Sequence, residues 1–254
     1  MNNKKWIFVY FLFLFTSFPL FGAEIPDPQA AHGPPLTVQL AVLAGLSILP
    51  FIVMMLTSYV KIVIVLSLLR NALGVQQTPP GQVLNGIAIL MSVYVMFPTA
   101  LAMYQSAEEY IKNEAPQTEL ISGPTAEYVM NIVDRAKNPL REFLQRNSSG
   151  KHITSFYQLA YKSFPEEYRP SLTPNDFIVI IPAFMTSQLK AAFEIGVLIY
   201  LPFFVIDLVT SNILLAMGMM MLSPLTIALP LKLLLIVMVD GWTLIIQGLV
   251  LTFR

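Results

Sequence analysis

Two long apolar regions, 36–103 and 177–254, constrain this chain more than any other feature of its sequence. The stretch 36–60 carries no charge, and Lys61 follows on what we expect to be the same helix; the run 83–103 is also uncharged. At 1.5 Å per residue, each run is long enough to cross a hydrocarbon layer of about 30 Å. Only 12% of the residues are charged, against roughly 25% in soluble domains. These features predict an all-α membrane protein.

Each apolar region divides into two segments, which predicts two helical hairpins with about four long apolar helices. The first region breaks at 74–82, where two adjacent prolines cannot continue a helix. The second region consists of segments from about 191–222 and about 226–253. Pro224 and Pro230 mark the predicted turn between them.

The N-terminal residues 1–23 have the pattern of a secretory signal peptide. Two lysines precede an apolar run of 13 residues, 6–18, which is shorter than a membrane span. We expect cleavage near Ala23, with an uncleaved N-terminal anchor as the alternative. Residues 24–35 are then predicted to form a short periplasmic segment.

A polar insertion, 104–176, joins the two hairpins and contains 18 of the 30 charged residues of the chain. Apolar residues recur at amphipathic helical spacing in 125–146 and 153–164, with a break predicted at Pro139. Positive charge at the N-terminus and at Arg70 predicts a cytoplasmic tip for the first hairpin. The insertion is therefore predicted to be partly helical and periplasmic.

Five charged residues lie inside the apolar segments. Each costs about 2.5–3.5 kcal/mol at the centre of a span, even on lenient insertion scales. These side chains must therefore face protein, water or an opposite charge. One interpretation is that they pair between subunits or reach the membrane interface by snorkelling. The other is a pathway through a stand-alone ion or small-solute transporter. The five are Lys61, Glu194, Asp207, Lys232 and Asp240.

The sequence contains no recognisable catalytic or cofactor-binding motif. It has no cysteine, and its two histidines, His32 and His152, lie in polar stretches where we expect solvated loops. No zinc-protease, phosphate-binding or dinucleotide-binding pattern occurs. The net charge is zero, so nothing indicates a nucleic-acid partner. We expect a non-enzymatic protein without cofactor or metal.

A methionine cluster, 217–221, ends the third apolar segment. Methionine is flexible and polarisable, and filling of an apolar core is its ordinary role. If several subunits brought this turn to one axis, the thioethers of Met219, Met220 and Met221 would form a deformable ring that excludes water. Gly218 would then permit the tight turn, and Pro224 would support it.

Five segments closely resemble the FliP/SctR/YscR family, and together they cover both apolar regions. The insertion 104–176 carries no motif of that family. The similar segments are LLRNALGVQQTPPGQ (68–82), PAFMTSQLKAAFEIG (182–196), PFFVIDL (202–208), the methionine cluster (217–221) and IALPLKLLLIVMVDGW (227–242).

The resemblance implies a core subunit of the export gate of type III secretion. Several copies would assemble with two small companion membrane proteins and contact larger export-apparatus membrane proteins. The helical pore would pass unfolded secreted polypeptides across the bacterial inner membrane, in contact with lipid and projecting toward the periplasm. Residues 221–224 and 241–244 look like virulence members of the family, whereas the signal peptide resembles flagellar ones.

The resemblance also implies functions for individual residues. The methionines 219–221 would close the pore, and Lys232 would form a salt bridge between subunits. The usual acidic partner is replaced here by Gln188, so either Lys232 uses Glu194 or Asp207, or the contact is a hydrogen bond. Lys190 and Glu194, at i,i+4, can also pair locally. The predicted inter-subunit polar contacts are Gln188, Lys190, Glu194, Asp207, Lys232 and Asp240.

Overall fold

The computed structural model describes residues 36–75, 79–114, 126–219 and 221–253. The predicted signal peptide, the segment 24–35, His32 and Met220 lie outside the described residues. The chain divides into two compact units, 1–47 and 48–254. In the first unit the structure describes the start of one helix, and all contacts discussed below lie in the second.

The described residues form α-helices joined by turns and one short 3₁₀ helix, and no strand occurs among them. The predicted all-α class is confirmed. The helices are α1 (Leu36–Leu56), α2 (Tyr59–Leu73), α3 (Gly81–Glu114), α4 (Ala126–Arg146), α5 (Gly150–Ser163), the 3₁₀ helix (Glu166–Tyr168), α6 (Phe177–Ala216), α7 (Pro224–Met238) and α8 (Gly241–Leu251).

Two helices are long and apolar enough to cross a membrane alone: Gly81–Glu108 within α3, and α6. Two bent helix pairs also qualify when each pair is taken as one span. Residues Pro50–Leu56 bend by 76° into α2, and α7 bends by 62° into α8. The described residues therefore contain two to four spans, in agreement with the prediction of about four long apolar helices.

Several helix ends differ from the predictions. The helix expected to continue from 36 through Lys61 ends at Leu56. Ser58, at the break, is buried, and its hydroxyl lies 3.3 Å from that of Ser92 on α3. Buried hydroxyl groups need hydrogen-bond partners. The bend between α1 and α2 therefore leaves the buried Ser58 hydroxyl with a partner on α3.

Proline positions also proved misleading. Pro98 and Pro139 lie inside the continuous helices α3 and α4, and Pro230 lies inside α7. A proline removes one helical hydrogen bond but kinks rather than ends a helix when packing holds both sides. The expected break at Pro139 is therefore wrong.

The helix α6 begins at Phe177, the first residue of the second apolar region, and the segment predicted from about 191 is the later part of this one helix. Asp176 precedes it in an extended conformation, and its carboxylate accepts a hydrogen bond of 2.7 Å from the Thr173 amide. The helix is 40 residues long. Because of this length, α6 contacts the helices of the insertion as well as α7, its partner in the second hairpin.

The central packing element is α2. Its buried residues recur every three or four positions, which places them along one side of the helix facing α6 and its neighbours. Gly196 of α6 permits a close approach, since a Cβ atom there would lie 2.2 Å from Leu68 Cδ1. The buried apolar residues of α2 are Ile62, Val65, Leu66, Leu69, Ala72 and Leu73.

A second apolar cluster joins the insertion to α6. Phe143 and Leu144 of α4 pack against Ile180 and Phe184 of α6, and all four are buried. Much of the remaining apolar surface is exposed on α3, α6 and α7. Apolar surface of that extent requires lipid or partner protein to cover it.

Candidate functional site

The methionine turn, defined here as residues 217–223, connects α6 to α7. Gly218 adopts φ +72°, the left-handed conformation that glycine adopts without strain. Its amide donates to the Leu215 carbonyl at 3.1 Å, and the Met219 amide donates to the Leu214 carbonyl at 3.0 Å. This pair of bonds is the Schellman ending of a helix. Gly218 therefore ends α6 at the start of the methionine turn.

The methionine turn exposes its three described methionines on the outside of the protomer. Met221 is fully exposed, and Met217 and Met219 are about half exposed. Within one protomer they therefore do not fill a core. Pro224 occupies the first turn of α7, where its missing amide hydrogen costs nothing.

An ion pair between Asp207 and Lys232, called the clamp below, joins α6 and α7, the helices on either side of the methionine turn. Lys232 of α7 is only 2% exposed, and its Nζ atom lies 2.7 Å from Oδ2 of Asp207 on α6. The ammonium also donates to the Ala72 carbonyl at 3.0 Å. Asp207 is thus the partner of Lys232 within the chain, one of the two acids that the sequence left open. Predicted contacts of these residues across subunits remain predictions.

The carboxyl end of α2 lies next to the first residues of α7, the helix that follows the methionine turn. Gly74 ends α2 with φ +75°. A Cβ atom there would lie 3.1 Å from Leu225 Cδ1 and 4.0 Å from Lys232 Nζ. Leu225 directly follows the first residue of α7, so the tip of the first hairpin lies against the clamp and against the start of α7, the helix that follows the methionine turn.

Gln188 belongs to a polar cluster at the loop 147–149. Its amide donates to the Asn147 carbonyl at 2.7 Å, and its Oε1 is buried without a hydrogen-bond partner among the described residues. The neighbouring Ser187 hydroxyl accepts a bond of 3.0 Å from the Ser149 amide and lies 2.7 Å from His152 Nδ1. His152 is half buried in α5, so the expectation of a solvated loop histidine is wrong.

The remaining predicted contacts are scattered. Lys190 and Glu194 form an exposed i,i+4 pair at 3.6 Å, as their spacing predicts; such pairs contribute little to stability. Asp240 lies at the bend between α7 and α8 and accepts a 2.9 Å bond from the Thr243 hydroxyl. No cluster of three or more metal-ligating side chains occurs within the described ranges.

Sequence reasoning missed two members of this site. A backbone carbonyl such as that of Ala72 has no side-chain signature, although the Gly74 helix end next to it was a usable signal. The packing of Ser187 against His152 joins residues 35 positions apart, and no local pattern reports such a contact.

The fold and the clamp define a helical membrane protein with a neutralised charge pair inside its apolar helices. The chain belongs to the FliP family, whose family model matches residues 42–249. The names of its relatives refer to protein translocation, secretion and flagellar biosynthesis.

Three relatives illustrate the family. Yop proteins translocation protein R of Yersinia pestis is 46% identical over 84% of this chain and 94% of its own length. Hypersensitivity response secretion protein HrcR of Ralstonia nicotianae is 44% identical over 83% and 94%, respectively. Flagellar biosynthetic protein FliP of Pectobacterium carotovorum subsp. carotovorum is 41% identical over 90% and 83%.

Proposed function

We propose that this chain is a non-enzymatic, pore-forming subunit of a type III secretion export gate, through which unfolded proteins cross the bacterial inner membrane. The observation that carries this proposal is the exposed methionine turn between α6 and α7, held by the Asp207–Lys232 clamp. The family membership supports a secretion function.

Methionine chemistry suits a seal around a changing polypeptide. Unbranched thioethers repack at little cost, and a narrow apolar ring excludes water and ions by dewetting. Met219 and Met221 are exposed on one protomer, so several protomers around one axis would bury them against each other. A passing chain would displace these side chains without breaking specific bonds.

The proposed assembly is a homo-oligomer joined by two small companion membrane proteins and contacted by larger export-apparatus membrane proteins. The exposed apolar side chains of α3, α6 and α7 supply the surface that such contacts would bury. We further propose that the insertion faces the periplasm and that the assembly projects toward it.

A stand-alone ion or small-solute transporter is the alternative, and it has less support. Its pathway would need accessible charges in the apolar helices. Lys232 is instead buried and neutralised by Asp207. The exposed Lys190–Glu194 pair also neutralises itself, which leaves Lys61 and Asp240, and these two lie on separate helical elements, α2 and the start of α8.

The proposal predicts that the triple substitution Met219→Ala, Met220→Ala and Met221→Ala raises ion leakage across the membrane several-fold, while the complex still assembles. Shortening the side chains opens the apolar constriction that dewetting keeps closed. Leakage is measured as conductance of the complex in planar bilayers and as ion sensitivity of cells.

Met55→Ala is the matched control, because Met55 is also about half exposed but lies on α1, away from the methionine turn in the sequence. It is expected to leave conductance unchanged. If the triple variant assembles and neither leakage nor secretion changes, the methionine turn does not close the pore.

A further inference from the structure

Of the five charges singled out in the apolar segments, two have no ion pair within the described part of the chain. Lys232 pairs with Asp207, and Lys190 pairs with Glu194. Lys61 and Asp240 are left, and they have opposite signs. A charge in apolar surroundings is costly without a counter-charge. Lys61 and Asp240 therefore each need an opposite charge from elsewhere.

Lys61 is built into a basic pocket. The residue is 4% exposed, and its Nζ atom lies 4.2 Å from the centre of the Phe253 ring. It lines a cavity of about 370 Å³ between α2, the loop 147–149, α6 and the end of α8. Arg146 and Lys190 line the same cavity, together with His152 and a single carboxylate, Glu194. Lys190 pairs with Glu194, and Arg146 pairs with Glu142. Lys61 is therefore the cation of this cavity that has no ion pair among the described residues, and it favours an incoming carboxylate.

Asp240 is held at an exposed and tightly built bend. Its φ of +51° is the only positive value at a non-glycine residue among the described residues. Such strained conformations persist where the surrounding structure imposes them, and they cluster at functional positions. Met238 and Val239 beside it are exposed, so the bend carries one carboxylate on an apolar surface.

The two charges do not meet within one chain. Phe253, past the carboxyl end of α8, lies against Lys61, while Asp240 precedes the first residue of α8. The 11 residues of α8 lie between Asp240 and Phe253, and they span about 16 Å at 1.5 Å per residue. A partner for each must come from another molecule.

We propose that Asp240 of one copy of this chain enters the Lys61 pocket of the next copy. Every copy offers one pocket and one bend, so the contact repeats head to tail and neutralises one cation and one anion each time. This inference rests on the proposed function, because it requires several copies side by side.

Crosslinking tests the contact directly, because the chain has no cysteine of its own. A Lys61→Cys chain is co-expressed with an Asp240→Cys chain, and the purified complex is oxidised. A disulfide-linked dimer is expected from the mixture, and a ladder of linked copies from the double variant. A Lys61→Cys chain combined with Val205→Cys, exposed elsewhere on α6, is expected to give no dimer.

Charge reversal provides a second measurement that does not depend on disulfide geometry. Lys61→Glu or Asp240→Lys alone places like charges together and is expected to reduce the oligomer roughly tenfold or more. The combined variant is expected to restore it. If Lys61→Glu does not fold, Lys61→Gln replaces it, and Asp240→Lys with Lys61→Gln is expected to recover oligomer relative to Asp240→Lys alone.

The outcomes separate this inference from the proposed function. An oligomer of normal mass that gives no 61–240 link and no rescue overturns the contact alone. Phospholipid adducts in native mass spectra that disappear in Lys61→Gln, without any 61–240 link, also overturn it, because lipid phosphate would then occupy the pocket. The absence of any oligomer overturns the proposed function as well.

Discussion

Replacing Asp207 by alanine is expected to lower the free energy of unfolding by about 3 kcal/mol, the lower end of the range for breaking a buried ion pair. The substitution leaves Lys232, which is 2% exposed, as an uncompensated charge against the Ala72 carbonyl. The lower end applies because Asp207 itself is 35% exposed. Equilibrium unfolding in mixed detergent micelles measures the loss.

Two comparisons show whether that loss comes from the buried charge. Replacing both partners, Asp207→Leu with Lys232→Met, is expected to recover most of the stability, because no charge is then left unpaired. Glu194→Ala breaks the exposed pair with Lys190 and is expected to cost less than about 1 kcal/mol. If Asp207→Ala cost no more than Glu194→Ala, Asp207 and Lys232 would not stabilise the hairpin.

Replacing Phe184 by alanine is expected to cost about 3–5 kcal/mol, the usual range for deleting a buried aromatic ring. Phe184 is completely buried, and its ring centre lies 6.0 Å from that of Phe143 on α4. Because this cluster joins α4 to α6, we also expect faster proteolysis of the insertion. The unfolding assay and limited proteolysis measure the two effects.

Phe193→Ala is the control for that prediction, since Phe193 lies on the same helix but is half exposed. Its expected cost in detergent is small, because little packing is lost. Equal costs for the two variants would mean that the cluster between α4 and α6 does not stabilise the protein.

The sequence predicted the helical class and the first hairpin break well, since both depend on local signals. Charge-free runs indicate spans by length alone, and α2 ends at Gly74 as its proline-rich continuation indicates. Because Gln188 stands where the resemblance implies an acidic residue, the sequence left Glu194 and Asp207 as candidate ion-pair partners for Lys232. The choice between these two acids depends on how α6 and α7 align, and only the packed structure shows that Asp207 is the partner.

The bends were harder to predict. The break at Ser58 has neither glycine nor proline and depends on a contact with Ser92, 34 residues away. Pro98 and Pro139 gave break signals that neighbouring helices override. The Asp240–Gly241 dipeptide, by contrast, is an ordinary turn signal and would have predicted the bend in the last segment.

If this chain forms an export pore as proposed, secreted polypeptide passes along the methionine turn. In a Met221→Cys chain assembled into the export apparatus, a secreted protein that carries one cysteine and is arrested in transit is expected to crosslink at position 221. A Met55→Cys chain, also exposed in the protomer but on α1, is expected not to crosslink. Arrested substrate that links to position 55 but never to position 221 would show that the polypeptide does not pass along the methionine turn.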